Sequence, residues 1–196
     1  MDIVARLQSL PVGRFHYKLL VLVGLGWLFD AMDTGMVSFV LATLGKEWGL
    51  SPKELGWVVS IGFVGMAIGA VMGGRTADKI GRKTVFAVSL VVYSIATALC
   101  AVAPDLGWLL VFRFFVGVGL GAQLPVAVTL VSDYVPATVR GRIIVLQESF
   151  WGLGWLEAAI VCYFFIPQYG WRSEILIGGL PFILVFFFRN DLPTTV

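Results

Sequence analysis

Apolar residues in this chain gather into long runs, not into the alternating or one-sided patterns of elements that face water. A helix needs about 20 predominantly apolar residues to cross the hydrocarbon core of a bilayer. Six windows approach or exceed that length: 19–44, 55–73, 84–102, 106–132, 143–166 and 175–188. The sixth is the shortest and contains Pro181. Between them lie short polar stretches at 45–54, 74–83, 103–105, 133–142 and 167–174. This pattern predicts an all-α membrane protein of six transmembrane helices over residues 1–196, because only a helix satisfies its own backbone in lipid without closing a barrel.

Composition strengthens that reading. Charged residues make up 13% and hydrophobic residues 59%, where a soluble domain carries about 25% charged residues. Mean hydropathy is +0.92. The net charge of +2 is small and no Lys/Arg cluster is interleaved with aromatics, so a nucleic-acid partner is not expected. Cys100 and Cys162 sit in apolar runs without a CxxC spacing or a His partner, and read as packed thiols, not metal ligands. No nucleophile motif, His/Asp cluster or cofactor fingerprint suggests an enzyme, a metal or a cofactor. No filter-like repeat suggests a channel. The first apolar run is too long for a signal-peptide core and no A-x-A pattern follows it, so it reads as a retained first helix.

Positive charge sets the expected orientation. With a cytoplasmic N-terminus, the inside holds Arg6, Arg14, Lys18, Arg75, Lys79, Arg82, Lys83, Arg140, Arg142 and Arg189. The outside holds Lys46, Lys53 and Arg172. That division predicts a multi-pass inner (plasma) membrane protein with both termini cytoplasmic. Gly65, Gly69 and Gly73 in the second window and Gly117, Gly119 and Gly121 in the fourth are spaced for close helix packing.

Ionisable residues inside these windows are the candidates for chemistry, since each costs about 2.5–3.5 kcal/mol to insert. They are Asp30, Asp33, Arg113, Glu148 and Glu157. Asp30 and Asp33 are three apart and lean toward one helix face. An Asp–Arg pair across helices would neutralise both charges. It would act either as a switch that opens when the Asp takes a proton or as a static pair that fixes helix register. In the fifth window Trp151 and Trp155 share a face, beside Gly154, which leaves room for a ligand or a neighbouring helix. They form either core packing or an aromatic wall for a flat substrate. The stretch from Gly74 through Asp78, Gly81, Arg82 and Lys83 combines a turn residue, an acid and a basic anchor. Contacts of Asp78 with helix N-termini or a nearby Arg would hold the cytoplasmic side closed.

At that stretch the sequence resembles the major facilitator superfamily, whose second and third helices are joined by G-x-x-x-D-x-x-G-R followed by R or K. A second match runs from Arg113 (R-x-x-x-G-x-G-x-G) through Asp133 to Gly141 (D-x-x-P-x-x-x-R-G), including Arg140. It is similar to the sugar-porter and metabolite–proton symporter branches. Gly24 to Asp33 with its Trp27, Gln123 to Ala127, and Glu148 to Trp151 resemble niacin (nicotinate) transporters and their aromatic-acid relatives. The resemblance implies the N-terminal half of a major facilitator fold, built as two inverted three-helix repeats with the first and fourth helices lining the path. It implies proton-coupled symport of a small organic acid. Asp33 and Arg113, with Asp30 nearby, would carry the coupling. Trp155, Trp151, Gln123, Glu148 and Trp27 would face substrate. Gly74, Asp78, Gly81, Arg82, Lys83, Asp133 and Arg140 would form the cytoplasmic gate.

Trp155 stands where sugar porters place a sugar-binding glutamine, which argues against the alternative of a sugar porter. Gln123 stands where many relatives have Glu. Asp133 replaces a longer Glu, which shortens its reach to Arg140 or Arg142. Glu157 replaces a small or apolar residue. Leu192 to Val196 stand in place of an L-P-x-S-P-R-like segment, and the chain stops at Val196. A C-terminal six-helix half is therefore expected as a partner, alongside the bilayer, protons and a small-molecule substrate. The other reading is a truncated, transport-inactive half.

Overall fold

The computed structural model describes residues 13–180, without the side chains of Leu130 and Asp133. Arg6, Arg189, Pro181 and Leu192 to Val196, and the part of the sixth window past residue 180, lie outside the described residues. The described chain is helical: α1 (Arg14–Glu47), α2 (Pro52–Ile80), α3 (Arg82–Ala101), α4 (Leu106–Tyr134) and α5 (Arg140–Gly178). Among the described residues, five helices are long and apolar enough to cross a membrane. α5 is interrupted at Gly170, whose φ of 75° and ψ of 170° are not helical, so residues 171–178 form a separate helical turn pair beyond the break.

The ends of the helices are chemically marked. Ser51 caps α2. Its hydroxyl accepts from the Glu54 N–H, while Glu54 Oε2 accepts from the Ser51 N–H at 2.8 Å, with Pro52 in the first turn. Asp105 caps α4 by accepting from the Trp108 N–H at 3.0 Å.

Two expected connections are absent as loops. The polar stretch 74–83 continues α2 as far as Ile80, and only Gly81 separates α2 from α3. Polar residues end an apolar window but do not end a helix. Arg75, Thr76, Ala77 and Lys79 carry α2 past its apolar part, and the turn is made by Gly81 at φ 89°. The stretch 167–174 is also helical apart from Gly170. There Trp171 and Glu174 are buried, not exposed.

The helices pair in parallel across the chain order. Gly24 lies against Phe150, Gly154 against Leu28 and Ala31, and Gly35 against Ala158, so α1 and α5 advance together. Gly65 lies against Phe114, Gly69 against Val118 and Gly73 against Ala122, so α2 and α4 do the same. α3 packs Tyr93 on Gly119 of α4 and Thr97 on Gly178 beyond the α5 break. One apolar cluster, around Phe86, Val131 and Val135, fills the end that holds Gly81. A second, around Leu44, Leu109 and Trp171, fills the end that holds Trp48. Buried polar residues from α1, α3 and α4 lie between them: Asp30, Asp33, Thr97, Arg113 and Gln123.

Candidate functional site

In this polar layer the guanidinium of Arg113 donates to Asp33 Oδ2 at 2.9 Å, with both side chains almost wholly removed from solvent. The pair expected from the sequence is therefore made, between α1 and α4. Geometry of this kind in a low-dielectric setting is strongly attractive, and removing one partner leaves an unpaired buried charge costing about 3–5 kcal/mol. Asp30 is buried one turn away and accepts from Gln123 Nε2 at 3.3 Å, while its second oxygen has no hydrogen-bond partner among the described residues. Tyr93 closes the layer by donating to the Gly178 carbonyl at 3.0 Å.

Asp33 and Arg113 also line a cavity of about 250 Å³. Thr34 and Ser38 of α1, Phe63 and Met66 of α2, Leu120 of α4 and Trp155 of α5 line it. Trp155 is 39% exposed and its six-membered ring lies on Gly35. A Cβ at Gly35 would stand 3.2 Å from that ring, so the glycine lets the indole rest on the α1 backbone. A largely apolar cavity with an aromatic wall and a charged pair in its lining suits a flat ligand with one polar end.

The other sequence candidates are distributed differently. Gln123 is fully buried and engaged with Asp30 instead of lining the cavity. Trp27 is buried, donates to Glu148 Oε2 at 3.2 Å, and meets Trp151 edge-on at 6.2 Å between ring centroids. These three form a cluster separate from the cavity lining. Gly154 gives no room to a ligand, because a Cβ there would stand 2.2 Å from the Leu28 carbonyl oxygen. It serves the α1–α5 contact. Glu157 is half-buried and outside the cavity lining.

At the Gly81 end, Asp78 is exposed and forms no ion pair among the described residues. Gly74 has open space around it. Gly81 makes the turn, and Arg82 and Lys83, both partly buried, begin α3. Arg140 donates to the Val135 carbonyl at 3.4 Å. Asp133 has no described side chain.

One buried carboxylate was not anticipated. Glu174 is fully buried beyond the Gly170 break, and Cys162 of α5 hydrogen-bonds to its Oε1. Hydropathy reads 167–174 as a polar connection, because Arg172, Ser173 and Glu174 break the apolar run. The signal that finds it is helical spacing: Trp171, Glu174, Ile175 and Gly178 fall on one stripe, and all four are buried.

The family model of the Major Facilitator Superfamily matches residues 23–195. The chain belongs to the major facilitator superfamily, and is thus a multi-pass membrane protein of a transporter family. It is 63% identical, over its full length, to the niacin transporter NiaP of Acinetobacter baylyi, covering 45% of that protein. It is 35% identical over 98% of its length to the 4-hydroxybenzoate transporter PcaK of the same organism, covering 42% of it. The xylose transporter XylE from E. coli, in a partially occluded inward-open conformation, shares the fold at a TM-score of 0.80 and 19% identity. That match covers 93% of this chain and 49% of XylE. The chain spans about half the length of the curated relatives it matches.

Proposed function

We propose that this chain is the N-terminal half of a proton-coupled symporter for a small aromatic or other organic acid such as nicotinate. The observation that carries the proposal is the Asp33–Arg113 pair in the lining of a cavity walled by Trp155. A planar acid suits a cavity with an aromatic wall, and the pair supplies a site where one proton and one anion act on the same charges. Proton arrival at Asp33 removes its charge and releases Arg113. Arg113 keeps its own charge throughout, since a guanidinium does not give up its proton in proteins. The names of the relatives at 63% and 35% identity, a niacin transporter and a 4-hydroxybenzoate transporter, support the same substrate class.

In this reading the turn pair after Gly170 opens a sixth spanning helix. The two three-helix repeats are then α1–α3 and α4 onward. The swapped pairing of α1 with α5 and α4 with α2 supports that arrangement. The positive-charge division supports two cytoplasmic termini at an inner membrane, and the resemblance supports a cytoplasmic gate of Gly74, Asp78, Gly81, Arg82, Lys83, Asp133 and Arg140. The site would be completed by a second six-helix half.

The test is uptake of labelled nicotinate by cells that co-express this chain with the C-terminal half of the Acinetobacter relative. Wild type should accumulate the acid when a proton gradient is imposed. Asp33→Asn should lose uphill accumulation by at least tenfold while keeping counterflow exchange, which does not require the empty carrier to return with its proton released. Asp30→Asn should be milder. Concentrative uptake by Asp33→Asn would remove the coupling role and turn attention to Asp30 or Glu148.

A further inference from the structure

The polar groups around the cavity can be sorted by whether their hydrogen-bonding capacity is already used. Asp33 is held by Arg113. The Thr34 hydroxyl donates back to the Asp30 carbonyl at 2.9 Å. The serine hydroxyls at 89, 149 and 173 likewise fold back on their own helices, donating to the carbonyls of Phe86, Leu146 and Tyr169. Ser38 differs. It lines the cavity one turn beyond Thr34, is exposed, and its hydroxyl forms no hydrogen bond to another described residue. Apart from Arg113, the lining residues whose side-chain donors form no hydrogen bond to another described residue are Ser38 and Trp155.

We propose that Ser38 determines which ring the site accepts, by donating a hydrogen bond to a ring nitrogen. This rests on the functional reading above and deepens it. The acid would sit on Arg113, and the ring would lie along Trp155 with its far edge toward Ser38. Arg113, Trp155 and Ser38 line the same cavity. The rest of the wall near Ser38 is apolar: Val37, Val59 and Phe63. An apolar wall separates a pyridine from a benzene ring poorly, whereas one hydrogen-bond donor separates them well, because only the pyridine nitrogen answers it.

The experiment measures uptake of nicotinate and benzoate side by side in the two-half assembly, for wild type, Ser38→Ala, Ser38→Thr and Trp155→Phe. Loss of one neutral hydrogen bond corresponds to roughly a three- to tenfold rise in nicotinate KM. Ser38→Ala should show that rise with benzoate KM within about twofold of wild type, and the retained benzoate uptake certifies a folded protein. Ser38→Thr, which keeps the hydroxyl, should restore the wild-type ratio of the two acids. Trp155→Phe should weaken both acids without changing their ratio. An unchanged ratio in Ser38→Ala, equal loss of both acids there, or a ratio change in Trp155→Phe would overturn the assignment of the donor to Ser38. Failure of wild type to carry either acid would instead overturn the functional reading, and this inference with it.

Discussion

The α2–α4 seam and the α1–α5 seam occupy equivalent places in the bundle, yet they are built from different material. Along α2–α4, glycines on both helices meet backbone. Added Cβ atoms at Gly65, Gly69, Gly117 and Gly121 would stand 2.0–2.2 Å from carbonyl oxygens of the facing helix. Along α1–α5 only Gly154 is limited by a carbonyl. Gly24 faces the Phe150 ring, and Gly35 faces Ala158 and the Trp155 indole. The first seam is main chain on main chain, as small residues allow in membranes. The second contains side chains that have rotamers and can be replaced. Only the second presents one of those side chains, Trp155, to the cavity. The backbone seam fixes the two helices that carry Arg113, Phe63 and Met66 to the cavity, while the side-chain seam supplies its aromatic wall.

The largest effect should come from forcing the backbone seam apart. Gly121→Val has no flexible neighbour to displace and should exceed the usual 1–3 kcal/mol of overpacking. Detergent-solubilised protein followed by size-exclusion should show loss of the monodisperse species. A folded Gly121→Val protein would mean that the seam has slack which the contact with Met66 does not suggest.

A smaller effect should come from the side-chain seam at its functional point. Trp155→Gln should weaken binding of an aromatic acid by about three- to tenfold, the range expected for one lost aromatic contact of 0.5–1.5 kcal/mol. Trp108→Gln, at an exposed indole near the start of α4, should change binding little. Equal losses would make Trp155 a packing residue and erase the contrast between the seams. The smallest effect should be at Gly24. Its added Cβ would meet the Phe150 ring at 2.8 Å, and a ring can turn aside. Gly24→Ala should therefore shift thermal stability by about 1 kcal/mol or less, read as the midpoint of a thermal scan.

The two seams also mark what a single sequence discloses. The glycine spacing in α2 and α4 was visible, because small residues every four positions have few other uses in lipid. The Asp33–Arg113 pair was visible because each residue is too costly to stand alone there. Which side of α4 Gln123 faces was not visible. It reads as a ligand contact until the Asp30 carboxylate is seen to hold it. Glu174 was hidden for a related reason. Hydropathy counts a charged residue as an edge, and only the packing of residues 171–178 onto α3 reveals that Cys162 receives it inside. The polar extension of α2 to Ile80 was hidden because hydropathy measures the depth of the lipid and not the length of a helix.

The turn at Gly81 has a mechanical consequence. The links before α2 and after α3 are several residues long and have slack, but α2 and α3 share a single residue. With the peptide units planar, that junction has essentially two soft angles. α2 carries Phe63 and Met66 to the cavity, and α3 carries Tyr93, whose hydroxyl holds the carbonyl of Gly178. A tilt of α2 about a ligand would have no loop to take it up: it would turn those two angles at Gly81 or carry α3 with it, and through Tyr93 bear on the helical turns beyond Gly170.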